Sequence, residues 1–203
     1  MCLARQPKSC NTLPMDRSVT NLTGKLLIAM PVMGDDRFAR SVVYICAHSD
    51  EGTMGLIVNK PSPDIRFSNL LEQLEIETGP SIRKIRIHMG GPVEKGRGFI
   101  LHSTDYKSEG GTIEVDDRFS MTATMDVVEE IAQGAGPLQA MMALGYAGWG
   151  PGQLESEIAQ NGWLVSDADE DIVFGRANDH KWTAALKGMG VDPLLLSETA
   201  GRA

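Results

Sequence analysis

The sequence predicts a single domain of the mixed α/β (α+β) class. Apolar runs with the length of strands alternate with turn residues and amphipathic helical segments along most of the 203-residue chain. A chain of this length, with 42% hydrophobic residues, can bury its own core. No internal repeat or long linker divides it. We therefore expect a flexible tail over residues 1–20 and one domain over residues 21–203.

The clearest strand pattern lies between residues 24 and 61. Residues 24–30 predict a first strand, which Pro31 ends. Residues 42–47 are apolar on both pleat faces, so we expect an interior strand covered on both sides. Residues 49–52 have turn chemistry and residues 55–58 return as a β-branched run, which predicts a hairpin.

Further elements follow from the periodicity of the remaining chain. Helices are predicted over residues 67–74, 124–133 (with Thr124 as cap), 152–160 and 181–188. Strands are predicted over residues 81–89, 97–102, 112–122, 138–147 and 163–165. In residues 81–89 the alternation places Lys84, Arg86 and His88 on one face, which predicts a half-exposed strand with a cationic face. Trp149 and Trp163 bracket the helix at 152–160, and we expect them to pack its ends.

Charge and cysteine usage restrict the compartment and the class of partner. A net charge of −8 and a pI near 5.0 argue against a general nucleic-acid binder, which needs excess cations. Three cysteines without a spacing framework predict a chain free of disulfides in a reducing compartment. Residues 1–15 have no apolar signal region, and no apolar run approaches the ~20 residues of a spanning helix. We expect a cytoplasmic protein.

Two motifs resemble reactive sites, but each lacks groups that such a site requires. Residues 91–98 have glycines at phosphate-loop spacing but lack the Lys-Ser/Thr pair and precede a strand, so a hairpin turn is favoured. Cys46 and His48 could form a thiol–imidazole pair or half of a metal site, but no third group is fixed, so Cys46 is favoured as a core residue. The sequence therefore predicts no catalytic residue, metal ligand or cofactor.

Six ordered blocks resemble the bacterial AlgH/YqgE family. They are LIAMP at 27–31, DDRFARSVVYICAH at 35–48, EGTMGLIVNKP at 51–61, GGPV at 90–93, RGFILH at 97–102 and GYAGWGPGQLESEI at 145–158. The resemblance implies a mixed, bifurcated β-sheet that curls into a partial barrel flanked by helices. Members are often labelled as transcriptional regulators, and the resemblance brings no agreed catalytic residue, cofactor or DNA-binding motif.

The leading functional hypothesis is a non-enzymatic regulator or adaptor. It would act through a protein partner or a small anionic ligand near the loop at 37–40 and the turn at 90–91, where charged, Gly-rich loops lie on an apolar frame. The candidate ligand-binding residues are Asp36, Arg37, Arg40, Glu51, Asn59, Lys60, Gly90, Gly91 and Arg97. The cationic face at 84–88 could also hold an anion.

Two alternatives remain open at this point. One is a hydrolase-type enzyme that uses His48, His102 or the carboxylates at 35–37. The other is a transcriptional regulator that contacts DNA directly, although no helix-turn-helix, basic zipper or aromatic-studded sheet is present in the sequence.

Overall fold

The computed structural model describes residues 21–196. The tail predicted over residues 1–20 lies outside the described residues, as do Cys2 and Cys10. The strands are β1 Lys25–Ala29, β2 Val42–Ser49, β3 Gly52–Ile57, β4 Ile87–Met89, β5 Val93–Ser103, β6 Thr112–Glu114, β7 Phe119–Thr122, β8 Ala140–Trp149 and β9 Trp163–Asp167. The helices are α1 Phe67–Gln73, α2 Asp126–Ala132, α3 Gln153–Ala159, α4 Glu170–Phe174 and α5 Asn178–Gly188, and short 3-10 turns cover Asp36–Phe38 and Pro193–Leu195.

The strands form one sheet that forks at β8. Its order is β6-β7-β5-β8-β3-β2-β1-β9, and every pairing along this path is antiparallel. The edge of β8 away from β5 first pairs with β4 in parallel and then with β3. Gly90 lies in the fork, where its amide donates to Leu144 and its carbonyl accepts from Ile57, both at 2.8 Å. The curled, half-barrel sheet with helices around it confirms the predicted fold class.

Strands β1 and β2 are covered on both faces. Tyr44 packs in a buried cluster with Trp182 of α5, whereas Val43 and Ile45 belong to a second cluster with Leu154 of α3. A third cluster joins α1 and α2 to the β4–β5–β8 part of the sheet. The prediction of an interior strand at 42–47 is confirmed up to residue 46.

Two predicted strands differ from the structure. The segment 81–89 is a strand only over β4, because Ile87 pairs in parallel with Met142 and β8 begins at Ala140, so residues 81–84 have no strand beside them. Residues 112–122 form a hairpin of β6 and β7 instead of one strand. Its turn is held by Asp116, whose Oδ1 accepts from the backbone amides of Arg118 and Phe119 at 2.8 and 2.9 Å.

Helix limits also differ from the prediction at two places. Helix α2 begins at Asp126, and Thr124 bonds to the Asp126 carboxylate instead of capping the backbone. Helix α5 begins at Asn178, three residues before the predicted start. The extra turn brings Asn178 onto the buried face of the helix, beside the site described below.

Candidate functional site

The charged loop between β1 and β2 is organised by a contact between Asp35 and Arg37. Asp35 accepts from the Arg37 backbone amide at 3.0 Å and holds its guanidinium at 2.6–3.0 Å. Hydrogen bonding to this guanidinium holds the pKa of Asp35 below its ordinary value. Asp36 beside them is exposed. The charge of Arg37 is thus largely neutralised within the loop.

This loop meets the turn at 90–92 around a small cavity. The Lys60 ammonium donates to the Arg37 carbonyl oxygen at 2.7 Å, and burial lowers the pKa of Lys60. Arg37, Lys60, Gly91 and Lys95 line a cavity of about 150 Å³. Ligand sites for small molecules usually measure about 300–1,000 Å³, so this cavity is large enough only for a small ion.

Arg40 and Asn59 have different surroundings from this small cavity. The Asn59 side chain accepts from the Val42 amide at 2.9 Å and donates to the Arg40 carbonyl at 2.8 Å, so it fixes the loop backbone. Arg40 has a positive φ of 52° and places its guanidinium 5.5 Å from the centre of the Trp182 ring. It lines a separate cavity of about 890 Å³ beside α5.

The glycines at 90 and 91 are explained by close packing. A Cβ on Gly90 would lie 2.3 Å from the Gly145 carbonyl oxygen, and one on Gly91 would lie 2.0 Å from the Tyr146 carbonyl carbon. Only glycine lets this segment approach β8 so closely. Their position therefore needs no ligand to account for it.

The remaining two candidates lie apart from the loop. Glu51 is exposed in the β2–β3 turn, at the other end of β3 from Lys60. Arg97 donates to Glu94 at 3.2 Å and lies 5.1 Å from the centre of the Phe99 ring. Of the nine candidates, the structure brings only Arg37, Lys60 and Gly91 together around one cavity, with Lys95 as an addition that sequence reasoning missed.

A larger cavity lies where the segment before β4 meets the α4–α5 connection. We call it the cationic pocket; its volume is about 380 Å³. The basic side chains that line it are Arg83, Lys84, Arg86, His88, Arg176 and Lys181. Within residues 21–196 no carboxylate lines it, and none lies within 4.0 Å of these basic groups. The nearby Glu170 instead accepts from the amide of Gln139, a lining residue, at 3.2 Å.

Neutral backbone acceptors hold two arginines of the cationic pocket, Arg83 and Arg86. Arg86 donates to the carbonyl oxygen of Arg176 at 2.7 Å, and this bond joins the segment before β4 to the α4–α5 connection. Arg83 donates to the carbonyl oxygens of Pro137 and Leu138. Because carbonyl groups carry no net charge, these bonds orient the guanidinium groups without cancelling their charge.

Lys181 supplies a buried cation at the wall of the pocket. Its side chain is 4% exposed, and its ammonium donates to the carbonyl oxygens of Val58 and Val173 at 2.8 and 2.7 Å. These bonds use two of its three protons. Burial, with a contribution from the nearby Arg86, lowers the pKa of Lys181 to about 8, so the group remains largely protonated at neutral pH.

His88 is buried beside Lys181, although the sequence predicted it on an exposed face. Its Nε2 lies 3.2 Å from Asn178 Oδ1, an arrangement in which the ring N–H donates to the amide oxygen. His88 Nδ1 and Asn178 Nδ2 have no protein partner in the described part of the chain. Burial lowers the pKa of His88. Buried polar atoms with unused hydrogen-bonding capacity thus lie on His88, which lines the pocket, and on its partner Asn178.

The histidines proposed for catalysis differ in their surroundings. His48 Nδ1 lies 2.8 Å from Thr53 Oγ1, and its buried Nε2 lies 3.4 Å from a Glu155 carboxylate oxygen without forming a hydrogen bond. His102 is fully buried with partners on both ring nitrogens. Cys46 is buried in an apolar cluster, and burial raises the pKa of its thiol. Over residues 21–196, no group of three His, Cys, Asp or Glu side chains is arranged to hold a metal ion. The same residues include no helix long and apolar enough to cross a membrane.

The sequence pattern singled out Lys84, Arg86 and His88 but not Lys181, the lining residue that α5 contributes. The signal was present in the helix periodicity. Buried positions in α5 follow i, i+3, i+4, i+7 and i+8 spacing, and they are Asn178, Lys181, Trp182, Ala185 and Leu186. An amide and an ammonium on the buried stripe of an otherwise apolar face indicate a polar site under the helix.

Comparison with known proteins identifies the family. The AlgH-like family model matches residues 26–194. A UPF0301 protein of Cereibacter sphaeroides is 57% identical over 183 residues, which cover 90% of this chain and all of the relative. A UPF0301 protein of Ruegeria pomeroyi is 58% identical over 184 residues, with the same two shares of coverage.

Two solved structures share the fold. The solution structure of the AlgH protein from Pseudomonas aeruginosa has a TM-score of 0.73 and 40% identity, and it covers 92% of this chain and 98% of that chain. A crystal structure of a Corynebacterium diphtheriae protein has a TM-score of 0.66 at 23% identity, which shows a common fold alone. By the match of its sequence and of its architecture, the chain belongs to the AlgH-like family.

Proposed function

We propose that this protein is a non-enzymatic cytoplasmic regulator or adaptor that responds to a small anionic ligand held in the cationic pocket. The observation that carries the proposal is a cavity of about 380 Å³ lined by basic side chains from two segments and by no described carboxylate. In a chain with a net charge of −8, such a concentration of unpaired cations focuses the local field on an anion. The size suits a small molecule.

Binding is favoured over catalysis by the state of the candidate catalytic groups. His102 has both ring nitrogens engaged, and neither His48 nor His102 lines the cationic pocket. Guanidinium and ammonium groups bind oxyanions without needing a nucleophile or a base. The resemblance to a family often labelled as transcriptional regulators agrees with a regulatory role, which we attribute to an indirect effect through a partner. A free buried Cys46 suits the reducing cytoplasm.

Calorimetric titration with inorganic phosphate at constant ionic strength tests this proposal. Lys84 and Arg176 are exposed and have no ion pair in the described part of the chain, so Lys84→Gln with Arg176→Gln should leave folding intact. We expect the double variant to weaken phosphate binding at least about tenfold, because two charge-assisted bonds are lost.

The matched control is Lys95→Gln, which removes a charge from the small cavity beside Arg37 and Lys60. It should leave phosphate affinity within about twofold of the wild type, since the two cavities share no lining residue. The opposite pattern, with affinity lost only in Lys95→Gln, would move the ligand to the loop surface that the sequence favoured. Equal affinity in all three proteins would reject both cavities.

A further inference from the structure

A second cavity shares a wall with the cationic pocket. Its volume is about 510 Å³, and Lys84, Ile85 and Arg86 line both cavities. Away from this wall its lining is largely apolar and includes Ile65, Phe67, Ile82 and Ile87. No carboxylate of residues 21–196 lines it. We call it the apolar cavity.

The two cavities offer complementary chemistry on either side of three residues. The cationic pocket supplies guanidinium and ammonium groups, and the apolar cavity supplies aliphatic and aromatic surface, with Arg66 also in its lining. A molecule with an oxyanion at one end and an apolar group at the other would satisfy both at once. Two separate ligands would each lose translational and rotational entropy on binding, whereas a single molecule that fills both cavities loses it once.

We propose that the ligand is a soluble phosphate monoester with an apolar substituent, whose phosphate binds in the cationic pocket and whose substituent lies in the apolar cavity. This inference rests on the proposed function. Lys84, Arg86, Arg176 and Lys181 together favour a dianion, and a phosphate monoester has a second pKa near 6 and is therefore dianionic at neutral pH. Its three free oxygens accept hydrogen bonds from several donors, and its ester oxygen links the phosphate to an apolar group that would pass the exposed side chains of Lys84 and Arg86.

If one molecule fills both cavities, its binding affinity should increase with the length of its alkyl chain. Each methylene transferred from water to an apolar site strengthens binding about fourfold. Hexyl phosphate has four more methylenes than ethyl phosphate and the same charge. Because the apolar cavity is open to solvent at Ile65, which is 37% exposed, burial of the chain is partial. We expect hexyl phosphate to bind at least about tenfold more tightly than ethyl phosphate.

The experiment is calorimetric titration of the full chain with ethyl and hexyl phosphate. Ile65→Ser removes apolar surface that belongs to the apolar cavity alone, and it should reduce the hexyl-to-ethyl affinity ratio by at least about threefold without changing ethyl phosphate binding. The control is Ile113→Ser, a matched change at a residue that is 54% exposed and lines neither cavity. It should leave the ratio unchanged.

Each outcome separates this inference from the proposed function. Ethyl phosphate binding that Lys84→Gln with Arg176→Gln weakens, together with equal affinity for both esters, would overturn the apolar half of the inference alone. A hexyl-to-ethyl affinity ratio that falls in Ile113→Ser and not in Ile65→Ser would place the alkyl chain elsewhere and overturn the inference too. Binding to phosphatidic acid vesicles without binding to hexyl phosphate would replace a soluble ligand with a lipid headgroup. Phosphate-ester binding unaffected by Lys84→Gln with Arg176→Gln would overturn the proposed function itself.

Discussion

The ammonium nitrogen of Lys181 lies 2.8 Å from the carbonyl oxygen of Val58, so a buried cation joins helix α5 to the residue after strand β3. The same ammonium donates to Val173 at the end of α4. These two bonds fix the position of the Lys181 ammonium within the packed interior, unlike that of a surface lysine. The cationic pocket therefore has one charge whose position is set by the fold, with exposed basic side chains around it.

Replacing Lys181 by Met should destabilise the protein by about 1–2 kcal/mol. Met keeps a long unbranched stem but leaves the buried carbonyl groups of Val58 and Val173 without their donor, and relief from burying a charge offsets part of that cost. Urea denaturation followed by circular dichroism measures the change. Lys187→Met, at an exposed position of the same helix, should alter stability by less than about 0.5 kcal/mol. Equal effects would mean that the Lys181 bonds contribute nothing net.

Affinity for a phosphate monoester should fall as the pH rises through about 8. An anion binds the protonated form of Lys181, whose pKa is about 8, and the free group loses its proton above that value. The phosphate stays dianionic and His88 stays neutral across pH 7.5–9.5, because burial lowers the pKa of His88. We expect roughly tenfold weaker binding at pH 9.5 than at pH 7.5.

The control for the pH profile is Lys181→Met, which should bind more weakly and show a flatter profile over the same range. Ethyl phosphate titrations at constant ionic strength provide both curves. Wild-type affinity that stays level up to pH 9.5 would show that Lys181 does not face the bound anion.

Glu157→Ala should cost about 2–4 kcal/mol of stability. One oxygen of Glu157 accepts from the indole N–H groups of Trp149 and Trp163 at 2.9 and 2.8 Å, and both indoles are buried. Alanine leaves two buried donors unpaired. Thermal or urea unfolding measures the loss. Glu157→Gln, which keeps one acceptor oxygen, should lose less than Glu157→Ala. Similar losses in the two variants would show that the indole bonds do not determine the effect.

Gly91→Ala should prevent folding or destabilise the protein by more than about 3 kcal/mol. The new Cβ would overlap the Tyr146 backbone, and no flexible side chain can move aside to relieve it. The matched change is Gly96→Ala in the same β5 region, where a Cβ meets nothing within 4 Å. It should be neutral or slightly stabilising. Expression yield and melting temperature distinguish the two. A stable Gly91→Ala variant would return Gly91 to consideration as a ligand contact.

The sequence predicted the parts of the fold that depend on local pattern. The β2–β3 hairpin and the interior character of residues 42–46 follow from periodicity and turn chemistry, and both are confirmed. Trp149 and Trp163 were expected to pack the two ends of α3, but both indoles instead donate to Glu157 of that helix, and their ring centres lie 5.8 Å apart. The half-barrel was expected from the family resemblance, since a fork at β8 depends on which strands pair over which residues. Local pattern carries no information on that choice.

The candidate site was only partly predictable for the same reason, because its residues come together through contacts between segments that are distant in the sequence. Alternation placed Lys84, Arg86 and His88 on one face, but His88 is buried because α5 packs over it. Arg176 and Lys181 come from a segment about 90 residues away, and no spacing rule joins them to Arg86. Asn59 and Gly91 were predicted as ligand contacts because they are a polar and a flexible residue near loops. In the structure the Asn59 side chain hydrogen-bonds the loop backbone, and Gly91 allows close packing against β8.

Whether the cationic pocket binds an anion can be tested by an NMR titration of the ¹⁵N-labelled full chain with ethyl phosphate, in a phosphate-free buffer at fixed ionic strength. We expect saturable shifts in the backbone amides of residues 83–88 and 173–181, which surround the cationic pocket. Amides near Arg37, Lys60 and Lys95 should not shift. Shifts confined to those three positions, or no saturable shift at all, would show that the cationic pocket does not bind the anion.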